Sequence, residues 1–102
     1  MSTPEGRIVA EILEYLRLRG IYAWRNNSGA VRANGRMVQY GKVGSSDIIG
    51  IMPDGRFLAI ECKTDSGSLS EAQRLFIDVI NKSQGLAFVA RSVEDVEREM
   101  KP

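Results

Sequence analysis

The sequence predicts an α/β domain, ordered αβββαβα around a mixed sheet, and three features carry that prediction. A helical apolar stripe opens the chain, two apolar runs joined by a tight turn lie in its middle, and a capped helix leads into a continuous apolar run near its end. The 102 residues suffice for one domain, spanning 1–102, with a modest core and no repeat, linker or low-complexity segment. Added burial through self-association would suit a core of that size. A hydrophobic fraction of 43% with 26% charged residues is that of an ordinary globular chain and excludes a disordered one.

Pro4 to Arg19 reads as an amphipathic helix, with Ser2 or Thr3 as its cap, Pro4 in the first turn and Gly20 as its stop. At about 100° per residue, Glu5, Ile8, Val9, Ile12, Leu13 and Leu16 share one face. Glu5 is thereby set apart from Glu11 and Glu14. Either it is exposed in the first turn, where the helix dipole favours an acid, or it is held inward for a purpose. Ile21 to Asn26 reads as a strand, with Trp24 assigned to the core, Asn27 to Gly35 as a polar loop and Met37 to Tyr40 as a short strand. Asp47 opens the apolar run Ile48 to Met52, and Met52-Pro53-Asp54-Gly55-Arg56 is a turn, so Asp47 to Lys63 forms a hairpin. Asp65 to Ser68 is a loop. Ser70-Glu71-Ala72-Gln73 has capping-box spacing and opens a second helix to about Lys82, with Ala72, Leu75, Phe76, Val79 and Ile80 as its buried face and Gln73 on the flank. Leu86 to Ala90 is apolar throughout, as an inner strand would be, and Ser92 caps a last helix, Val93 to Met100.

Chemistry concentrates on the hairpin. Strand side chains alternate, so Glu61 and Lys63 point the same way, and the turn brings Asp47 near Glu61. With no histidine and one cysteine, a structural zinc site, a Ser-His-Asp triad, a Cys-His pair and an intramolecular disulfide are all excluded. What remains is two carboxylates, a lysine and a hard divalent cation, Mg²⁺ or Mn²⁺, with Lys63 orienting or deprotonating an attacking water. That combination fits metal-assisted phosphodiester hydrolysis. Asp54 of the literal Pro53-Asp54 pair is turn chemistry, and Cys62, facing away from Glu61, reads as a small core hydrophobe.

The net charge of +1 conceals an asymmetry. No acid occurs from Tyr15 to Ser46, where Arg17, Arg19, Arg25, Arg32, Arg36 and Lys42 lie. Arg17 and Arg19 read as helix-end charges. Arg25, Arg32, Arg36 and Lys42, interleaved with Asn26, Asn27 and glycines, read as a phosphate-neutralising surface beside the acids. Asn26, Asn27 and Ser28 suit a plain turn, or phosphate binding next to an active site. No apolar run reaches membrane-spanning length and Met1-Ser2-Thr3-Pro4 followed by charge is not a signal peptide, so the expectation is a cytoplasmic protein with no membrane partner and no nucleotide cofactor.

The ordered set of Glu5, Trp24-Arg25-Asn26-Asn27-Ser28-Gly29-Ala30, Tyr40-Gly41, Gly44-Ser45-Ser46-Asp47-Ile48-Ile49-Gly50, Glu61-Cys62-Lys63 and Leu69-Ser70-Glu71-Ala72-Gln73 resembles the PD-(D/E)xK nuclease superfamily, and within it a small stand-alone VRR-NUC domain of phage or bacterial type. The resemblance covers nearly the whole chain and implies a restriction-endonuclease-like αβββαβ core. It implies Asp47 and Glu61 as metal ligands with the Cys62 carbonyl as a third, Lys63 as the catalytic lysine, Glu5 orienting a metal-bound water and Gln73 supporting the site. Gln73 also has a capping role available at the helix N-terminus. Ser46 stands where the superfamily pattern has proline, a difference in turn stiffness that removes no ligand. The expected function is a Mg²⁺- or Mn²⁺-dependent DNA endonuclease, structure-selective as a homodimer on four-way junctions. The alternatives are a monomeric nicking or flap nuclease and a non-catalytic nucleic-acid-binding module, the latter expected to have lost a ligand or the lysine.

Overall fold

A computed structural model describes residues 3–101. Their elements are α1 (Pro4–Leu18), β1 (Tyr22–Arg25), β2 (Gly29–Ala33), β3 (Arg36–Tyr40), β4 (Ile48–Ile51), β5 (Phe57–Cys62), α2 (Glu71–Lys82), β6 (Leu86–Ala90) and α3 (Val93–Glu99). Four strands form a mixed sheet in the order β1-β4-β5-β6, antiparallel except for the β5/β6 pair. With β2 and β3 set aside, the order is the αβββαβα that the sequence predicts.

Each helix starts where a side chain satisfies a free backbone amide. The Thr3 hydroxyl accepts from the Gly6 N–H at 2.9 Å, while Ser2, the other candidate cap, lies outside the described residues. Val9, Ile12 and Leu16 of α1 are fully buried against Ile48 of β4, Leu58, Ile60 and Cys62 of β5, Phe88 and Ala90 of β6, and Val96 of α3. Full burial stabilises each large aliphatic side chain by about 1.5–3 kcal/mol, so this face supplies most of the core. On the other face Ile49, Ala59 and Ala87 meet Phe76, Ile77 and Ile80 of α2. Period-two alternation therefore sends Ile60 and Cys62 towards α1 and Ala59 and Glu61 towards α2. The register Ile48↔Ile60 sets Asp47 beside Glu61.

The structure departs from the sequence reading in four places. The segment read as a polar loop contains β2, which pairs with β3 in a separate two-stranded ribbon turned by Asn34 and Gly35 at φ 51° and 74°. An Asn-Gly pair with both residues at positive φ is a tight hairpin turn, and nine of the ten strand residues are exposed. β6 lies at the sheet edge, not inside it. Its apolar run follows from cover on both faces by α2 and by α1 with α3. On α2, Leu75 and Val79 are 64% and 50% exposed, because Ile77 takes the place expected of them against the sheet. Trp24 is 45% exposed, since α2 covers β5 and β6 and leaves the β1 side of the sheet open. Its ring instead meets Tyr22 edge-on at 5.5 Å.

The loop into β4 depends on Gly44. Its φ is +84°, and a Cβ there would stand 2.6 Å from the Ala72 carbonyl oxygen. Gly20 has a similar φ of +73° with open space around it. Gly20→Ala should therefore destabilise by about 1 kcal/mol from backbone strain alone, and Gly44→Ala by roughly 2–4 kcal/mol from strain plus the clash with α2. Denaturant unfolding of the two variants measures the difference, and equal losses would contradict the close packing of this loop.

Candidate active site

The β4–β5 ladder ends at Ile48, and the Asp47 side chain continues it. Asp47 Oδ2 accepts the Cys62 N–H at 2.8 Å, and the Asp47 carbonyl accepts the Asn26 N–H at 2.7 Å. The Cys62 amide thus fixes the Asp47 carboxyl group, and the Asn26 amide fixes the Asp47 main chain. Glu61 stands next to it and is 2% exposed. Glu61 Oε2 accepts from Gln73 Nε2 at 3.0 Å and lies 3.6 Å from Lys63 Nζ, while Oε1 is buried with no hydrogen-bond partner. Burial pushes the Glu61 carboxyl up to about 8, the Asp47 charge pushes the same way, Lys63 offsets part of the rise and Glu5 adds a smaller push. Glu5 itself is half-buried in the first turn of α1, so its charge reaches the pair from the neighbouring helix.

Gln73 performs both roles open to it. Its Oε1 accepts the Ser70 N–H at 2.9 Å and its N–H donates to Ser70 Oγ at 3.2 Å, which completes the capping box. The remaining Nε2 reaches Glu61. A helix cap and a carboxylate support are therefore one side chain. Cys62 is buried against α1 and α3, and that burial, with the Asp47 and Glu61 charges, raises its thiol far above the usual range, so the side chain is an inert core group.

The basic residues divide. Arg25 ends β1 close enough for its charge to act on Cys62. Asn26 turns inward: Nδ2 donates to Ser45 Oγ at 2.8 Å and to the Ser46 carbonyl at 2.9 Å, and Ser45 Oγ donates to the Lys42 carbonyl at 2.7 Å. Its amide braces the loop that carries Asp47, so those two donors are not open to a ligand. Asn27 and Ser28 are exposed at the base of the ribbon, Arg32 and Arg36 are exposed along it, and Lys42 is exposed beyond it.

Two supporting features escape the sequence reading. Ser46 is 1% exposed with an unpartnered Oγ, so it behaves as a small buried spacer just before Asp47. Arg91, just after β6, donates through Nη1 to the Thr64 carbonyl and to the Gly67 carbonyl at 2.9 Å, and so holds the turn that follows Lys63. No local pattern marks an arginine that acts across 24 residues on a backbone carbonyl.

Chemically, the cluster offers a buried carboxyl with a free oxygen, a second carboxyl beside it, and a lysine at the same wall. Among the described residues, no three His, Cys, Asp or Glu side chains gather tightly enough to cage an ion by themselves. The two acids with main-chain oxygen could hold a cation that keeps most of its own waters or takes substrate oxygens.

Comparison with known proteins identifies the domain. The profile of the VRR-NUC domain matches residues 6–94. A solved structure described as "VRR_NUC domain" superposes with a TM-score of 0.68 over 95% of this chain and 94% of its own, at 21% sequence identity, which is a likeness of fold. Among curated proteins no match was found. Because the profile runs from the first turn of α1 into α3 and takes in every element between them, the chain belongs to the VRR-NUC domain family.

Proposed function

We propose that this protein is a Mg²⁺- or Mn²⁺-dependent endodeoxyribonuclease that hydrolyses phosphodiester bonds, and that it acts as a homodimer on branched DNA such as a four-way junction. The coarser part follows from the family: VRR-NUC is a nuclease-family domain, so the function is of nuclease type and the substrate is nucleic acid. No helix among the described residues is long and apolar enough to cross a membrane.

One observation carries the finer reading. Glu61 is buried beside a second carboxyl group with one oxygen left unpartnered, an arrangement that disfavours folding unless something else satisfies it. Its donor set is all hard oxygen, which fits Mg²⁺ or Mn²⁺ and no soft metal. When bound, such an ion polarises the phosphodiester and lowers the pKa of water. Asp47 and Glu61 would hold it, with the Cys62 carbonyl. Lys63, held by Glu61, stands at the same wall to orient or deprotonate the attacking water. Glu5 approaches from α1 to orient that water, and Gln73 keeps the Glu61 carboxyl group from rotating. Arg25, Arg32, Arg36 and Lys42, with Asn27 and Ser28, would neutralise phosphates on either side of the cut. The two-fold reading rests on function: one site cuts one strand, and a symmetric branched substrate requires two sites in fixed relation.

Cleavage of labelled duplex, flap and four-way-junction DNA under Mg²⁺, Mn²⁺, Ca²⁺ and EDTA tests the whole reading. Product is expected with Mg²⁺ and Mn²⁺ only, and most from the junction. Cleavage that persists in EDTA would reject the metal, and cutting of duplex alone would reject the branched substrate.

Asp47→Ala or Glu61→Ala should abolish cleavage and leave the fold intact, since either change removes one of two crowded acids. Mn²⁺ at a hundred times its Kd should stabilise the wild type by about 2.7 kcal/mol and Asp47→Ala by almost nothing, as thermal unfolding will show. An equal gain in both would move the metal elsewhere. Lys63→Ala should lower turnover far more than DNA affinity. Arg32→Ala or Arg36→Ala should do the reverse, flattening the salt dependence of binding by about one unit of slope for each phosphate that the variant no longer neutralises.

The raised Glu61 value sets a pH dependence. The folded protein holds this proton more tightly than the unfolded chain, so metal-free stability should be greatest near pH 4.5 and fall as pH rises to about 8, by up to about 1.4 kcal/mol per pH unit. Unfolding of the metal-free protein across that window should show the decline, and Glu61→Gln should flatten it. An unchanged slope in Glu61→Gln would assign the proton to another group.

A further inference from the structure

The sheet face that carries Asp47 and Glu61 also carries two aromatic rings that the proposed reaction does not use. Trp24 pairs with Ile49 and Ile49 with Ala59, and Glu61 lies two residues further along β5, so strand alternation puts Trp24, Tyr22 and Glu61 on one face. Two strands and two residues separate Trp24 from Glu61, about 12 Å between main chains, and Tyr22 is two residues beyond. Tyr22 is 73% exposed and Trp24 is exposed beside it, because α2 covers only the β5 and β6 side of this face. An apolar groove of about 360 Å³ adjoins the rings, between α2 and the loop that leads to Asp47. Phe76 on its wall packs on the cluster that holds Ile49, the cross-strand partner of Trp24. Among the described residues the groove's one charged group is Lys42. The acids Glu71 and Asp78 of α2 line a separate hollow with Arg74, and Asp78 pairs with Lys82 at 2.9 Å.

We infer that Tyr22 and Trp24 form a stacking platform for unpaired bases of the DNA strand that enters the site, with Lys42 taking a phosphate beside them. The inference rests on the nuclease reading above and adds to it the state of the strand next to the cut. Spacing decides between paired and unpaired DNA. Residues two apart on one β-strand are separated by about 6.6 Å, and the two ring centroids by 5.5 Å, whereas bases stacked in a duplex rise by about 3.4 Å. Consecutive bases therefore meet both rings only when the backbone is drawn out and the bases have left each other. Aromatic faces then replace the stacking that is lost, whatever the base. The rings stand at 61° to one another, so they offer two separate faces and not one slab. Charge selects the occupant. The whole of β1 and the loop that carries Lys42 fall inside the acid-free stretch from Tyr15 to Ser46, so no acid of this segment repels a phosphate, and a cation at the rim of an apolar groove is what a base with its phosphate requires. At about 6.6 Å for each drawn-out nucleotide, the 12 Å from Glu61 puts the base on Trp24 roughly two nucleotides from the scissile phosphate.

Trp24 is the one tryptophan of the chain, so its fluorescence reports on this face alone. Titration with a short oligothymidylate in EDTA, where binding is read without cleavage, should quench that fluorescence to a plateau. A hairpin duplex of equal charge should leave it near its starting value. Tyr22→Ala and Trp24→Leu should each raise the Kd for the labelled single strand about tenfold, with unchanged circular dichroism and an unchanged salt dependence, because stacking releases no counterions. Trp24→Phe should recover most of the affinity. Lys42→Ala should instead flatten the salt dependence by about 0.7 of a unit of slope, the single-strand value for one phosphate. No quenching at saturation would overturn the platform, and so would equal quenching by the duplex. A fluorescence change on diluting the protein without DNA, paired with a Kd indifferent to Tyr22→Ala and Trp24→Leu, would give the face to a second copy and overturn it too. A protein that cuts DNA with no quenching loses the platform and keeps the nuclease reading, whereas quenching by a protein that never cuts does the opposite.

Discussion

The burial of Glu61 beside Asp47 is the constraint on which the rest of the structure depends. An ionised acid at 2% exposure is expensive, and a second acid at its side makes it more so. The protein answers with three fixed partners from two elements: Gln73 from α2, Lys63 from the end of β5, and the Cys62 amide of β5, which binds Asp47 and fixes the distance between the two acids. One oxygen of Glu61 is left over. A fold selected for stability alone would fill that position with a hydrophobe, so the retained acid pair is consistent with the hard-cation site proposed above.

α2 is the element that turns this local strain into an arrangement of the whole domain. Its capping box, its support of Glu61 and its packing through Phe76, Ile77 and Ile80 all lie on one side of the helix, and they fix its rotation. Once that rotation is fixed, Leu75 and Val79 have to point outward. The exposed apolar ridge is thus a consequence of the site's needs as much as of any partner's.

The two-stranded ribbon sits within the longest acid-free part of the chain and is joined to the body at Asn26 and at the loop before Asp47. Asn26 ties both ends together through Ser45 and Ser46. Gly41 allows the ends to cross closely, since a Cβ there would lie 2.4 Å from the Asn27 carbonyl oxygen. Cationic side chains on the ribbon are in this way mechanically connected to the acid that opens β4.

The sequence by itself determined the helices, the β4–β5 hairpin and the set of residues proposed to react. Capping residues, period-two alternation and a Pro-Asp-Gly turn are local, and they place Asp47, Glu61 and Lys63 on one face without knowledge of anything distant. The Asn34-Gly35 turn is equally local, yet β2 reads as loop because its residues carry little hydrophobic contrast and face no core. Tertiary structure alone decided which face of α2 is buried: Phe76, Ile77 and Ile80 pack on Ile49, Ala59 and Ala87, Gln73 bonds Glu61 from the same side, and Leu75 is left outside. It also decided that Trp24 is exposed, that Asn26 braces the Asp47 loop, and that Arg91 clamps the turn after Lys63. In each case the deciding interaction joins residues far apart in the chain, and neither periodicity nor propensity carries information about such an interaction.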